Sequence, residues 1–201
     1  MKILLTFFDP FDNEDTNSVL EASKLIEDEI DGHSITKLTL PTVFFEASCL
    51  AIKKARELKP DAIIMLGQAS GRGEVTPERV AINVMDAKIP DNKGNCPIDQ
   101  VIIEGAPNAY FSSLPIKKIV ESLKSMNIPA SVSNTAGTFV CNQTMYSLLD
   151  FAAKELPRAK IGFIHLPATP KQAEGKSIPS METPLAADAV RQIIRVVAES
   201  V

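Results

Sequence analysis

The chain has 201 residues, 45% of them apolar and 23% charged, with a formal net charge of −4. That suits one domain spanning 1–201, large enough to bury a substantial core, and the slightly acidic balance offers no basic field for a nucleic-acid backbone. The apolar run from Ile3 to Phe8 stops at Asp9, too short for a secretory signal, and no stretch is long enough to span a bilayer, so neither a membrane nor a nucleic-acid partner is expected and the location is expected to be cytoplasmic.

In chain order, Lys2 to Phe7 reads as a strand, Asn17 to Ile30 as a helix, Ser34 to Leu40 as a strand and Thr42 to Leu58 as a helix. DAIIMLG, ending at Gly67, reads as a fully buried strand and is followed by the polar loop GQASGRG. ERVAINV, from Glu78, alternates as a half-buried strand should. The stretch from Asp86 to Pro107 is rich in Pro, Gly, Asn and Asp and predicts loops and turns, with room for a hairpin over a site. A helix near Ile116 to Met126, a strand at Ala130 to Ser133, an amphipathic helix after Thr138, the strand AKIGFIHLP and a closing helix from Pro184 to Glu199 complete the pattern. The alternation predicts an α/β fold: a single-domain three-layer α/β/α sandwich around a mixed, mostly parallel sheet.

Cys49, Cys96 and Cys141 are too few and too scattered for a disulfide framework, and no C-x-x-C pair or histidine cluster suggests a structural metal. Cys141 stands out by position. It follows the small polar run SNTAGT and falls in the first turn of an amphipathic helix, where the dipole and unpaired N–H groups favour a thiolate. A small buried hydrophobe is the alternative there.

The chain has two histidines. His33 lies in DGHS, a solvated turn, whereas His165 ends an apolar strand, where ligand sites of open α/β sheets collect. His165 is either a satisfied core histidine or a base that meets Cys141 at one edge of the sheet. Glu78, after Pro77 at the head of an apolar strand, is a candidate to hold the imidazole, its alternative being a surface pair with Arg79 or a lysine. GQASGRG matches neither phosphate-binding glycine pattern and reads as a loop lining a substrate.

Four segments together resemble the pyroglutamyl peptidase I family, also called pyrrolidone-carboxylate peptidases, over nearly the whole chain. SVSNTAGTFVCN resembles the family's nucleophile motif, VTPERVAIN its glutamate motif, GFIHLP its histidine segment and PFDNEDTNS its N-terminal P-F-x-x-x-x-x-N-x-S stretch. The resemblance implies a cysteine exopeptidase, a thiol protease that hydrolyses N-terminal pyroglutamate from peptides through a thioester. Cys141 is then the nucleophile, His165 the base and acid, and Glu78 the residue orienting His165. It further implies an aromatic lactam pocket of Phe8, Phe11 and Phe139 with Gln68 nearby, Asn17 and Thr42 in matching stretches, and a dimer or homotetramer in the cytoplasm. The implied mechanism needs no metal or cofactor. The chain departs from the family pattern at Phe7, Asp12, Asn13, Ser70 and Lys88. The competing reading is an α/β protein that binds a pyroglutamyl or nucleoside-like ligand without cleaving it.

Overall fold

A computed structural model describes residues 1–12 and 14–201; Asn13, in the PFDNEDTNS stretch, lies outside the described residues. The elements run β1 (Lys2–Phe8), α1 (Ser18–Ser23), β2 (Glu29–Ile30), β3 (His33–Leu40), α2 (Glu46–Leu58), β4 (Ala62–Gln68), β5 (Thr76–Pro77), β6 (Val80–Ile82), β7 (Ala109–Phe111), α3 (Ile116–Ser125), α4 (Val140–Glu155), β8 (Lys160–Leu166), α5 (Pro170–Ala173) and α6 (Thr183–Ala198).

Apolar side chains on both faces of β1, β4 and β8 force these strands into the middle of a sheet covered on both sides. The sheet has the order β2-β3-β1-β4-β8-β5, parallel at its centre and antiparallel at both edges. Alternation along the strands then divides the core. Ile3, Leu5, Ile64, Leu66, Ile164 and Leu166 pack with residues of α1, α3 and α6, while Leu4, Phe8, Ile63, Met65, Ile161 and Phe163 pack with residues of α2 and α4. This is the predicted three-layer sandwich with a mixed, mostly parallel sheet.

Several local expectations give way. The helix predicted over 17–30 ends at Ser23, and Glu29–Ile30 instead pairs antiparallel with His33–Ser34. Asp31 and Gly32 both take positive φ (49° and 78°), as a tight two-residue hairpin turn demands, so the Asp-Gly pair closes a hairpin and His33 stands on a strand. The helix predicted from Thr42 begins at Glu46. The strand predicted over 78–84 is reduced to Val80–Ile82, which pairs with β7 in a separate two-stranded sheet, while Thr76–Pro77, just before it, joins the main sheet beside β8. Ala130 and Ser133 make isolated parallel bridges to Val75 and Glu78 rather than a strand.

α4 is buried almost all round, not on one face. Most of its polar residues are absorbed by bonds within the helix or to other elements: Asn142 bonds Ile82 and Val84 backbone, Gln143 bonds Ser48, Ser147 and the Phe45 N–H, and Asp150 accepts from Tyr110 and Lys154, while the Thr144 hydroxyl has no partner among the described residues. Satisfied in this way, polar groups tolerate burial, and they hold α4 rigidly between α2 and the small sheet.

Candidate active site

The carboxyl ends of β4 and β8 lie side by side, with Gly67 in register with His165. Phe163 and His165 project to the α4 face, their ring centroids 4.8 Å apart. α4 brings Cys141 down on that same face. The reason it can do so is Gly67: a Cβ there would stand 2.6 Å from the Phe163 ring and 3.1 Å from Cys141 Sγ. Glycine thus leaves the space in which the thiol and the Phe163–His165 pair share one surface. Phe163 is wholly buried and has little room to move, so Gly67→Ala is expected to cost about 1–3 kcal/mol of stability by overpacking. The thermal melt checks it, and an unchanged midpoint would mean that the ring yields freely.

The third group arrives from the sheet edge. Thr76 pairs with His165 and Pro77 with Ile164, which puts Glu78 opposite Phe163, where its backbone N–H donates to the Phe163 carbonyl at 2.8 Å. From this diagonal position Glu78 Oε1 reaches His165 Nδ1 at 2.7 Å. Glu78 is fully buried and His165 nearly so. Burial pushes the Glu78 carboxyl up, but the hydrogen bond and charge of His165, with hydrogen bonds of Ser133 and Arg72, outweigh it and hold the group below the usual carboxylate range. Glu78 is therefore ionised, its Oε1 shared between the His165 imidazole and the Arg72 guanidinium. The alternative, a surface pair with Arg79, is not made: Arg79 Nε donates to Asn134 Oδ1 at 2.7 Å.

Cys141 is half-buried in the first turn of α4, whose N-cap is Phe139 in extended conformation with no side-chain cap. A phenylalanine at the N-cap has no acceptor to offer, and Thr138 before it donates to the Asp86 carbonyl. First-turn N–H groups, which have no acceptor within a helix, are consequently left without a side-chain cap beside the thiol. Burial pushes the Cys141 thiol up to about 12, Glu78's charge adds to this, and the Arg72 guanidinium opposes it. The helix N-terminus expected to favour thiolate is overridden in the free site. A thiolate at Cys141 then calls for a positive charge close by.

Phe11 and Phe139 are half-buried with ring centroids 6.3 Å apart, and Phe44, which sequence reading missed, stands edge-on to Phe139 at 5.3 Å. Phe8 differs from both: it is buried in the core against Phe163 at 6.1 Å. Gln68 faces away from Cys141, toward α1. Its Oε1 accepts from the Ser18 N–H at 2.7 Å and its Nε2 donates to Ser70 at 2.8 Å. Asn17 and Thr42 converge on the Asp9 carbonyl, each at 3.1 Å, and so fix the turn that carries Phe8 and Phe11. Asn92 latches the long loop onto this turn through Asp9 and Pro10. A cavity of about 430 Å³ between Pro60, Asp61, Leu156 and Val201 lies at the opposite ends of the strands and touches none of these groups.

A buried carboxylate on an imidazole, with a thiol at a helix N-terminus on the same face, is an arrangement suited to acyl transfer. Comparison with known proteins agrees: the family model described as pyroglutamyl peptidase matches residues 1–200. The chain belongs to the pyroglutamyl peptidase family. It is a cysteine peptidase. It is 50% identical over 201 residues to the pyrrolidone-carboxylate peptidase of Thermoanaerobacter sp. (strain X514), covering 99% of this chain and 98% of that one. Among solved structures it is similar to the pyroglutamyl peptidase I from Bacillus amyloliquefaciens (TM-score 0.95, 43% identity, 98% and 94% of the two chains). A pyrrolidone carboxyl peptidase from Pyrococcus furiosus matches at TM-score 0.94 with 40% identity, over 100% and 99%. Among the described residues no helix is long and apolar enough to cross a membrane.

Proposed function

We propose that the protein removes pyroglutamate from the N-termini of peptides, with Cys141 as nucleophile, His165 as base and then acid, and Glu78 as the group that orients His165. The observation carrying this reading is the 2.7 Å contact between the wholly buried Glu78 carboxylate and His165 Nδ1, which leaves the other ring nitrogen free for a proton relay. As the thiol attacks the carbonyl after the lactam ring, its proton passes to His165. First-turn N–H groups of α4 stabilise the oxyanion, the imidazolium protonates the leaving amine, and water activated by neutral His165 releases pyroglutamate from the thioester. A passive binder has no use for an ionised carboxylate buried behind an imidazole, which disfavours the binding-only reading.

Release of fluorophore from a pyroglutamyl amide tests the proposal, and no release above a heat-denatured control would refute it. The pH profile of kcat/KM is expected to be bell-shaped, its two limbs belonging to the coupled Cys141–His165 pair. Glu78 lies outside those limbs. Its folded-state pKa is lowered, so its contribution to stability is complete above the ordinary carboxylate range and is lost only as the pH falls through the lowered value. A flat profile from acid to alkaline pH would remove the Cys141–His165 pair from the reaction.

We place the protein in the cytoplasm, where a free thiol stays reduced, and we propose that it is a dimer or tetramer. The strongly exposed Ile98 and Phe111 support self-association. Light scattering of the purified chain measures the oligomeric state.

A further inference from the structure

We infer that Arg72 is a positioning residue of this site: its guanidinium clamps the Glu78 carboxylate in place behind His165 and ties it to the turn that leads into the Cys141 helix. The inference takes the role of His165 from the proposed function, and its geometry from the contacts of Arg72 alone.

Those contacts come from both ends of the guanidinium fork. Arg72 Nη1 donates to Glu78 Oε1 at 2.6 Å and to Thr76 Oγ1 at 2.8 Å, while Nη2 donates to the Thr135 carbonyl at 3.1 Å. One side chain thus spans the β5 edge, the carboxylate and the SNTAGT turn. A solvated surface pair would be worth little, but the Glu78 side chain is 0% exposed and that of Arg72 31%. The carboxylate depends on very few groups. Oε1 accepts from both His165 and Arg72, whereas Oε2 makes no well-formed hydrogen bond among the described residues; the Ser133 hydroxyl, which donates to the Thr135 carbonyl at 3.0 Å, still helps to hold the charge.

A buried charge held at one oxygen is unstable if its only permanently cationic partner is removed. It then either takes up a proton or turns toward water, and both break its hold on the imidazole. The ionisable groups around it are His165 from β8, Arg72 from the 67–73 loop and Cys141 from α4. Of these only Arg72 carries a fixed positive charge. The same charge also opposes the effect of Glu78 on the Cys141 thiol, so losing it disfavours the thiolate directly. The local chain is shaped for the reach: the Arg72 N–H returns to the Ala69 carbonyl at 2.9 Å in a tight turn between Gly71 and Gly73.

The test compares the full-length protein with Arg72→Met and Arg72→Lys. Arg72→Met is expected to lower kcat for a pyroglutamyl amide by about tenfold to a hundredfold, with KM moving less than about threefold, because a displaced imidazole affects the chemical step more than binding. Arg72→Lys is expected to recover part of the loss, since it restores the charge without the fork. The second readout needs no substrate. Iodoacetamide labelling of Cys141, followed by peptide mass spectrometry against Cys49 and Cys96, is expected to slow about tenfold in Arg72→Met, and its acid midpoint to move to higher pH as protonation of Glu78 enters the range. A purely structural arginine would not shift that midpoint. Unchanged labelling of Cys141 in a folded Arg72→Met protein, or in Arg72→Gln should Arg72→Met not fold, would overturn the inference, whether or not the parent cleaves the amide. If only the amide assay fails in the parent, the functional reading fails and the clamp stands.

Discussion

Cys141→Ala is expected to reduce turnover of a pyroglutamyl amide by at least about 10⁵-fold, to the limit of detection, because removing a nucleophile abolishes the covalent route and leaves only binding and oxyanion stabilisation. The substitution is structurally mild. The thiol is half-buried at the first turn of α4, and the buried bonds of Asn142 and Gln143, not the thiol, hold that helix in place. A normal melting curve with no activity is therefore the expected result. Glu78→Gln is a less severe loss, since the amide can still meet the imidazole, but it leaves the Arg72 guanidinium without its anionic partner and permits the wrong tautomer. If Cys141→Ala stayed within about tenfold of the parent, a change of about 1.4 kcal/mol in the barrier, the covalent mechanism would be wrong.

What could be read from the chain depended on whether each signal was local. Buried parallel strands announce themselves as unbroken apolar runs, so AIIMLG and KIGFIHL were legible, and with them the end of the sheet on which His165 stands. The α4 helix was legible from its apolar spacing, but its buried polar face was not. Asn142, Gln143 and Asp150 look solvated until partners from α2, β6 and β7 arrive. The β2–β3 hairpin was hidden by the acidic run around Glu27 to Glu29, which imitates a solvated helix face, although Asp31-Gly32 carried the turn signal. Side-chain direction was the least accessible property. Gln68 sits one residue from Gly67, and that single step turns it to the other face of the sheet, toward Ser18 instead of Cys141. Arg72 gave one clue, an arginine between two glycines six residues before Glu78, but its meaning depends on Thr135, which is distant in sequence.

Selectivity is the other large expected effect, and it follows from the chemistry of the substrate's N-terminus against the aromatic wall. Pyroglutamate carries a neutral lactam. N-terminal proline has a ring of similar size but a charged secondary amine and no ring carbonyl. In the proposed reading the ring lies against Phe11 and Phe139, the latter braced edge-on by Phe44, and Phe8 supports the floor from the core through Phe163. These side chains offer no counter-charge to a prolyl ammonium, so that group would be desolvated without compensation. In the same reading, any N–H donor that meets the lactam carbonyl would at the same time lose its acceptor. Both terms oppose proline, and sites that hydrogen-bond a substrate group can reject an analogue lacking it by about 10⁴-fold. The expected preference in kcat/KM for pyroglutamyl over prolyl amides is at least about a hundredfold, allowing for partial entry of water beside the half-buried rings. Measuring both amides at one pH decides it: equal cleavage would mean that the ring does not bind against Phe11 and Phe139, and the pyroglutamyl assignment would fall with the pocket.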